Sequence, residues 1–138
     1  MEIQEAVGPD NIFIFGLEAD EVVALHRDGW SPRERIAASP ALARALHEIG
    51  DGVFSPDDRG RFHPLLRLLT DGGDHFMVTA DFEEYCRVYD SVLDLYRSEG
   101  AWTAKAVINT ANMGWFSSDR TVGEYASEIW AVKPLAAK

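Results

Sequence analysis

The run Asn11-Ile12-Phe13-Ile14-Phe15-Gly16, NIFIFG, decides the fold. Four consecutive apolar residues closed by glycine show no alternation and are too few for a helix. They predict a strand buried on both faces, as in a parallel sheet covered by helices. Such a strand needs neighbours, because its backbone N–H and C=O groups are costly to bury unpaired. The only other extended-looking piece is His75-Phe76-Met77-Val78-Thr79. The expectation is therefore a mainly α chain with one buried parallel-type strand at residues 12–15, whose sheet is completed by polypeptide outside this sequence.

Outward from the strand, helix signals dominate. After it, LEADEVVALHRDG sets Val22, Leu25 and His26 at helical spacing, with acids first, His26 and Arg27 last and Gly29 just beyond. Ser31-Pro32-Arg33-Glu34 is a capping-box pattern, and Ser39-Pro40 repeats the cap-then-proline start before Leu42, Leu46 and Ile49. Phe62, Leu65, Leu66 and Leu69 share a face ahead of Gly72-Gly73. Phe82, Tyr85, Tyr89, Val92, Leu93 and Tyr96 recur every three or four residues, the clearest helix in the chain. Trp102 to Met113 reads as a further helix closed by Gly114. Val122, Tyr125, Ala126, Ile129 and Trp130 predict a core-facing stripe ended by Pro134. No repeat or linker divides the sequence, so residues 1–138 read as a single segment.

Composition narrows the function. The 138 residues carry a formal net charge of −10, from 23 acidic and 13 basic side chains. That field repels nucleic-acid phosphates and disfavours nucleic acid as a partner. Apolar residues at 46 % and charged residues at 26 % fit a packed domain rather than a disordered one. A lone Cys86 and an N-terminus without a leader pattern place the expectation in a reducing cytoplasm, and no run approaches a membrane span.

Gly114-Trp115-Phe116-Ser117-Ser118-Asp119-Arg120-Thr121 concentrates reactive groups. A serine nucleophile needs a base in reach, and no histidine or G-x-S-x-G elbow accompanies Ser117 or Ser118. The favoured reading is a helix start: Ser117 or Ser118 as cap, Asp119 at the positive end, and Thr121 to Glu124 as a second capping-box pattern. His26, His47, His63 and His75 are too dispersed for a metal motif. Asp57-Asp58 and Asp71 to Asp74 lack the alternating ligands of a calcium loop and read as turns. Cys86 reads as a small buried hydrophobe. Catalytic, cofactor-binding and metal residues are accordingly all expected to be absent.

Three stretches become specific when taken together: EAVGPDNIFIFGLEADEV at 5–22, GVFSPDDRGRFHPLLRLL at 52–69 and GWFSSDRTVGEYASEIWAV at 114–132. In this order, with ADFEEYCRVYDSVLDLY at 80–96 and Trp102-Thr103 between them, they resemble the C-terminal part of the glycogen, starch and maltodextrin phosphorylases. The resemblance covers nearly the whole chain. It implies an α-1,4-glucan phosphorylase, which transfers a terminal glucosyl unit to phosphate and releases glucose 1-phosphate with pyridoxal phosphate as cofactor. It also implies that residues 12–15 belong to the Rossmann-like second domain of a two-domain glycosyltransferase (GT-B) fold.

The family's cofactor lysine lies in a glycine- and asparagine-containing motif ahead of this sequence, and Lys105, Lys133 and Lys138 match no such motif. The implied state is a fragment inactive alone, with the upstream part of the phosphorylase as partner and self-association through its uncovered faces. Two rivals are a helical interaction module and a small hydrolase using Ser117 or Ser118. Trp115 stands where the family commonly has lysine, and Ala104 where a basic residue usually follows Trp-Thr.

Overall fold

A computed structural model describes residues 2–71 and 73–133. The described residues form eight α-helices: α1 (Glu2–Val7), α2 (Ala19–Asp28), α3 (Pro32–Ala38), α4 (Pro40–Gly50), α5 (His63–Leu69), α6 (Val78–Tyr96), α7 (Glu99–Asn112) and α8 (Ser118–Glu124). Single 3₁₀ turns occupy Pro9–Asn11 and Met113–Phe116, and a π turn follows α8 at Tyr125–Ile129. The chain divides into two compact units, one of Met1–Phe13 with Val92–Lys138 and the other of Ile14–Ser91.

The mainly helical expectation holds, but the strand does not form. No described residue is in a strand. Ile12 is extended (φ −138°, ψ 145°), yet no N–H from Ile12 to Phe15 donates a hydrogen bond, and Phe13 and Phe15 are exposed. The sequence supplies the apolar run without a second strand to pair with it. His75–Thr79 is not extended either, and that has a local cause. The Asp74 carboxylate accepts from Val78 N (3.0 Å), Thr79 N (2.7 Å) and Thr79 Oγ1 (2.6 Å), so the chain leaves Met77 directly into α6.

In the unit Ile14–Ser91, the acidic face of α6 holds the segments before it. Asp81 Oδ1 accepts from Leu17 N (2.9 Å) and Glu84 Oε2 from Gly16 N (3.0 Å), two backbone donors gripped by carboxylates one turn apart. Gly16 has φ +94°, and a Cβ there would meet the Asp81 carboxylate at 2.8–3.1 Å. Glu83 accepts from the Ser39 hydroxyl, and that hydroxyl in turn accepts from Leu42 N (3.1 Å) to cap α4. Ser31 occupies the corresponding position before α3, but its side chain makes no cap bond; proline at the first position already presets the helical φ. Gly29 ends α2 in the left-handed conformation, as its placement predicts.

In the other unit, α1 and the first 3₁₀ turn pack on α7. Asn109 donates to Asn11 O (2.7 Å), Lys105 donates to Asp10 O, and Asn11 Nδ2 donates to Val7 O (2.8 Å). Tyr96 and Trp102 meet edge to face at 5.1 Å. Gly114 does not close α7; it lies inside the 3₁₀ turn, and Met113 is the cap residue. Pro134 and Gly72 lie outside the described residues. The last helical turn is already over at Ile129, because Ala131 turns left-handed (φ 50°) and Val132 N bonds back to Ala126 O (2.9 Å).

Among the described residues the buried apolar side chains are Val7, Pro32, Leu42 and Met77. The stripe from Val122 to Trp130 does not face a core: Val122, Tyr125, Ile129 and Trp130 are all exposed. Amphipathic helices have formed, and their apolar faces stand exposed at many positions.

Two substitutions check this account. Asp74→Ala leaves three donors without their carboxylate and is expected to cost about 3 kcal/mol, read as a lowered urea midpoint. Gly16→Ala is expected to cost 1 kcal/mol or more (on the order of 1–3) from its left-handed φ and the Asp81 contact. Adding Asp81→Ala removes the contact and leaves the φ penalty, so the double mutant is less destabilised than the sum of the singles.

Candidate functional site

The residues richest in chemistry, Gly114 to Thr121, sit where the second 3₁₀ turn runs into α8. Ser117 is the residue before α8, and its N–H bonds Gly114 O (3.2 Å) while its carbonyl accepts from Thr121 N (3.1 Å) and Thr121 Oγ1 (3.2 Å). Its hydroxyl makes no cap bond, and Ser118 begins the helix rather than capping it. The helix start is therefore as expected in place, but it is held by backbone and by Thr121. The Thr121 to Glu124 pattern is not a capping box, since both residues lie within α8.

Arg120 carries most of the local electrostatics. Its Nε donates to Trp115 O (2.5 Å), its guanidinium stacks 3.7 Å from the Trp115 ring centroid, and it pairs with Glu124 one turn on. A guanidinium committed to a carbonyl, a ring face and a carboxylate is a structural lock rather than a free anion receptor. Trp115 supplies two of those three contacts.

His26, His47, His63 and His75 all belong to the unit Ile14–Ser91, whereas Ser117 and Ser118 belong to the other. His47 pairs with Asp51 (3.3 Å), His63 lies 3.2 Å from Gly50 O, and His26 and His75 have ring centroids 6.2 Å apart. No group of three or more His, Cys, Asp or Glu among the described residues is arranged to hold a metal ion. Asp57 and Asp58 lie in the turns between α4 and α5, as read. Asp71 pairs with Arg33 (2.7 Å). Cys86 is half-buried on α6. Lys105 is occupied by Asp10 O, Lys133 is exposed, and Lys138 lies outside the described residues.

Among the described residues several hollows are of ligand size, including one of about 510 Å³ beside Trp102, Thr103, Val107 and Thr110. One of about 390 Å³ lies beside Asp28, Trp30, Ser31, Glu34 and Arg35. One of about 440 Å³ is lined by Phe15, Val78, Asp81, Phe82 and Tyr85. One of about 400 Å³ runs along Ser118, Val122, Ala126 and Val132. None combines a nucleophile, a base and an oxyanion donor in hydrogen-bonding reach. Sequence reasoning missed Asp74, which it took for a turn residue. The signal was an acidic residue just ahead of a long apolar periodicity, the position of a helix-starting carboxylate.

The described residues contain no helix long and apolar enough to cross a membrane. Residues 1–132 match the family model for carbohydrate phosphorylases. The human brain form of glycogen phosphorylase is 42 % identical over 134 residues, which is 97 % of this chain and 16 % of that protein. Glycogen phosphorylases of Synechocystis and Haemophilus influenzae are each 40 % identical over 135 residues, 98 % of this chain and again 16 % of theirs. The chain thus spans about a sixth of the length of the relatives it matches, and along nearly all of its own length it belongs to the carbohydrate phosphorylase family.

Proposed function

We propose that this chain is the C-terminal segment of an α-1,4-glucan phosphorylase, single from residue 1 to 138, and that it serves as a structural portion of that enzyme. The full enzyme would release glucose 1-phosphate from glucan and phosphate in the cytoplasm. The observation that carries the reading is the uncovered apolar surface: Phe15, Phe76, Val122, Ile129 and Trp130 are exposed, and Val7, Leu42 and Met77 are buried. A chain matching 16 % of its relatives' length leaves ample polypeptide to cover it. Ile12–Phe15, with its free N–H groups, suits addition to a sheet in the Rossmann-like second domain of the GT-B fold.

Pyridoxal phosphate is the cofactor of this reading, and no residue described here is assigned to it. Lys105 is bound to Asp10 O, and Arg120 is locked against Trp115 and Glu124, so neither is offered as a phosphate-binding group. Positioning of the reacting phosphate then falls to upstream residues. A helical interaction module derived from a phosphorylase is the second reading, favoured by the local hydrogen-bond networks that shape each unit without the remainder.

Purified chain incubated with maltoheptaose, phosphate and pyridoxal phosphate is expected to give no glucose 1-phosphate. Mixing it with an upstream phosphorylase piece that bears the cofactor lysine is expected to restore phosphorolysis; a module with an independent role would leave that mixture inactive. Ser117→Ala with Ser118→Ala is expected to change chain stability by under about 0.5 kcal/mol, since neither hydroxyl caps α8. Loss of a detectable ester hydrolysis in that variant would instead revive the hydrolase.

A further inference from the structure

Among the uncovered apolar side chains, Phe76 differs in how it is held. It is 84 % exposed, yet its turn is anchored by the two most buried side chains described, Asp74 at 2 % and Met77 at 1 %. Both anchors adopt positive φ, 46° and 54°, and for methionine no local side-chain hydrogen bond eases that conformation. Asp74 N bonds Leu68 O (3.0 Å), Met77 N bonds Asp74 O (2.8 Å), and the Asp74 carboxylate ties the turn to α6. The His75 ring braces Phe76 edge-on at 5.3 Å.

A strained, fully tied turn that projects one phenyl ring into solvent has already given up the freedom that docking would otherwise remove. Rigid aromatic side chains of this kind form the centres of interfaces. We infer that Phe76 is a docking anchor seated in an apolar pocket of the upstream phosphorylase polypeptide. The inference rests on the proposed membership of a larger enzyme, whose relatives this chain matches over 16 % of their length. A protein pocket fits better than a glucan, because a phenyl ring offers no hydrogen bond to sugar hydroxyls.

The test immobilises a glycogen phosphorylase truncated where its match to this chain begins and measures binding of the purified chain. Wild type is expected to bind, Phe76→Ala about 30-fold or more weakly, Phe76→Trp within about threefold, and the exposed-site control Val53→Ala unchanged. Circular dichroism of Phe76→Ala should superimpose on wild type, as the ring is solvent-exposed. Equal binding by wild type and Phe76→Ala overturns the anchor alone, whereas no binding by wild type overturns the larger-enzyme reading as well. If Phe76→Ala instead abolishes self-association in sedimentation velocity, or maltoheptaose binding by the chain, with docking intact, the occupant is a second copy or a glucan and the inference fails.

Discussion

The carboxylate of Asp74 is the interaction on which the larger unit depends. By taking the N–H groups of Val78 and Thr79 it fixes where α6 begins, and the start of a helix sets the angular position of every later residue. Asp81, Glu83 and Glu84 then fall where they can grip Leu17, Ser39 and Gly16. Ser39 passes the effect on, since the hydroxyl that Glu83 engages is also the cap of α4. One acidic residue thereby determines how two earlier segments attach to a helix that follows them. Acidic side chains in this chain are partly structural acceptors, so its net charge of −10 is more than a solvated surface.

Periodicity made the helices legible because each forms from its own residues. The α6 stripe, the Gly29 stop of α2 and the proline start of α4 are local rules, and the structure follows them. Burial was legible only as a demand. Phe13, Phe15, Tyr85, Val122 and Ile129 are spaced for a core, yet all five are exposed, because spacing marks a face as apolar without supplying what covers it. The strand failed for the same reason: apolarity is a property of a segment, whereas pairing is a property of two. His75–Thr79 failed for another, because a buried carboxylate upstream overrode the β preference of Val78 and Thr79. At the Gly114–Thr121 stretch, the helix start was readable from residue types. The stack of Arg120 on Trp115 was not, since it spans five residues across a change of helix type.

This chain matches its phosphorylase relatives over about a sixth of their length, and its helix faces stand apolar and open, as at Val122, Tyr125, Ile129 and Trp130. The units nonetheless keep definite internal hydrogen bonding, as at Asn109 with Asn11 and at Asp74 with Thr79. Local polar ties are thus enough to specify conformation where hydrophobic burial is scarce. Trp115 belongs to the same pattern, since its ring and carbonyl secure Arg120.

The π turn at Tyr125–Ile129 alters what the terminal stripe can do. With Trp130 N bonded to Tyr125 O, the two aromatic rings stand 5.7 Å apart, a pairing that residues five apart do not achieve on an unbroken α-helix. Val122 and Ala126 turn instead toward the hollow shared with Val132. What the sequence presents as one continuous ridge is divided into an aromatic knuckle and an aliphatic trough. A single flat neighbour cannot satisfy both, so whatever packs here must be shaped to two different reliefs within about three turns of chain.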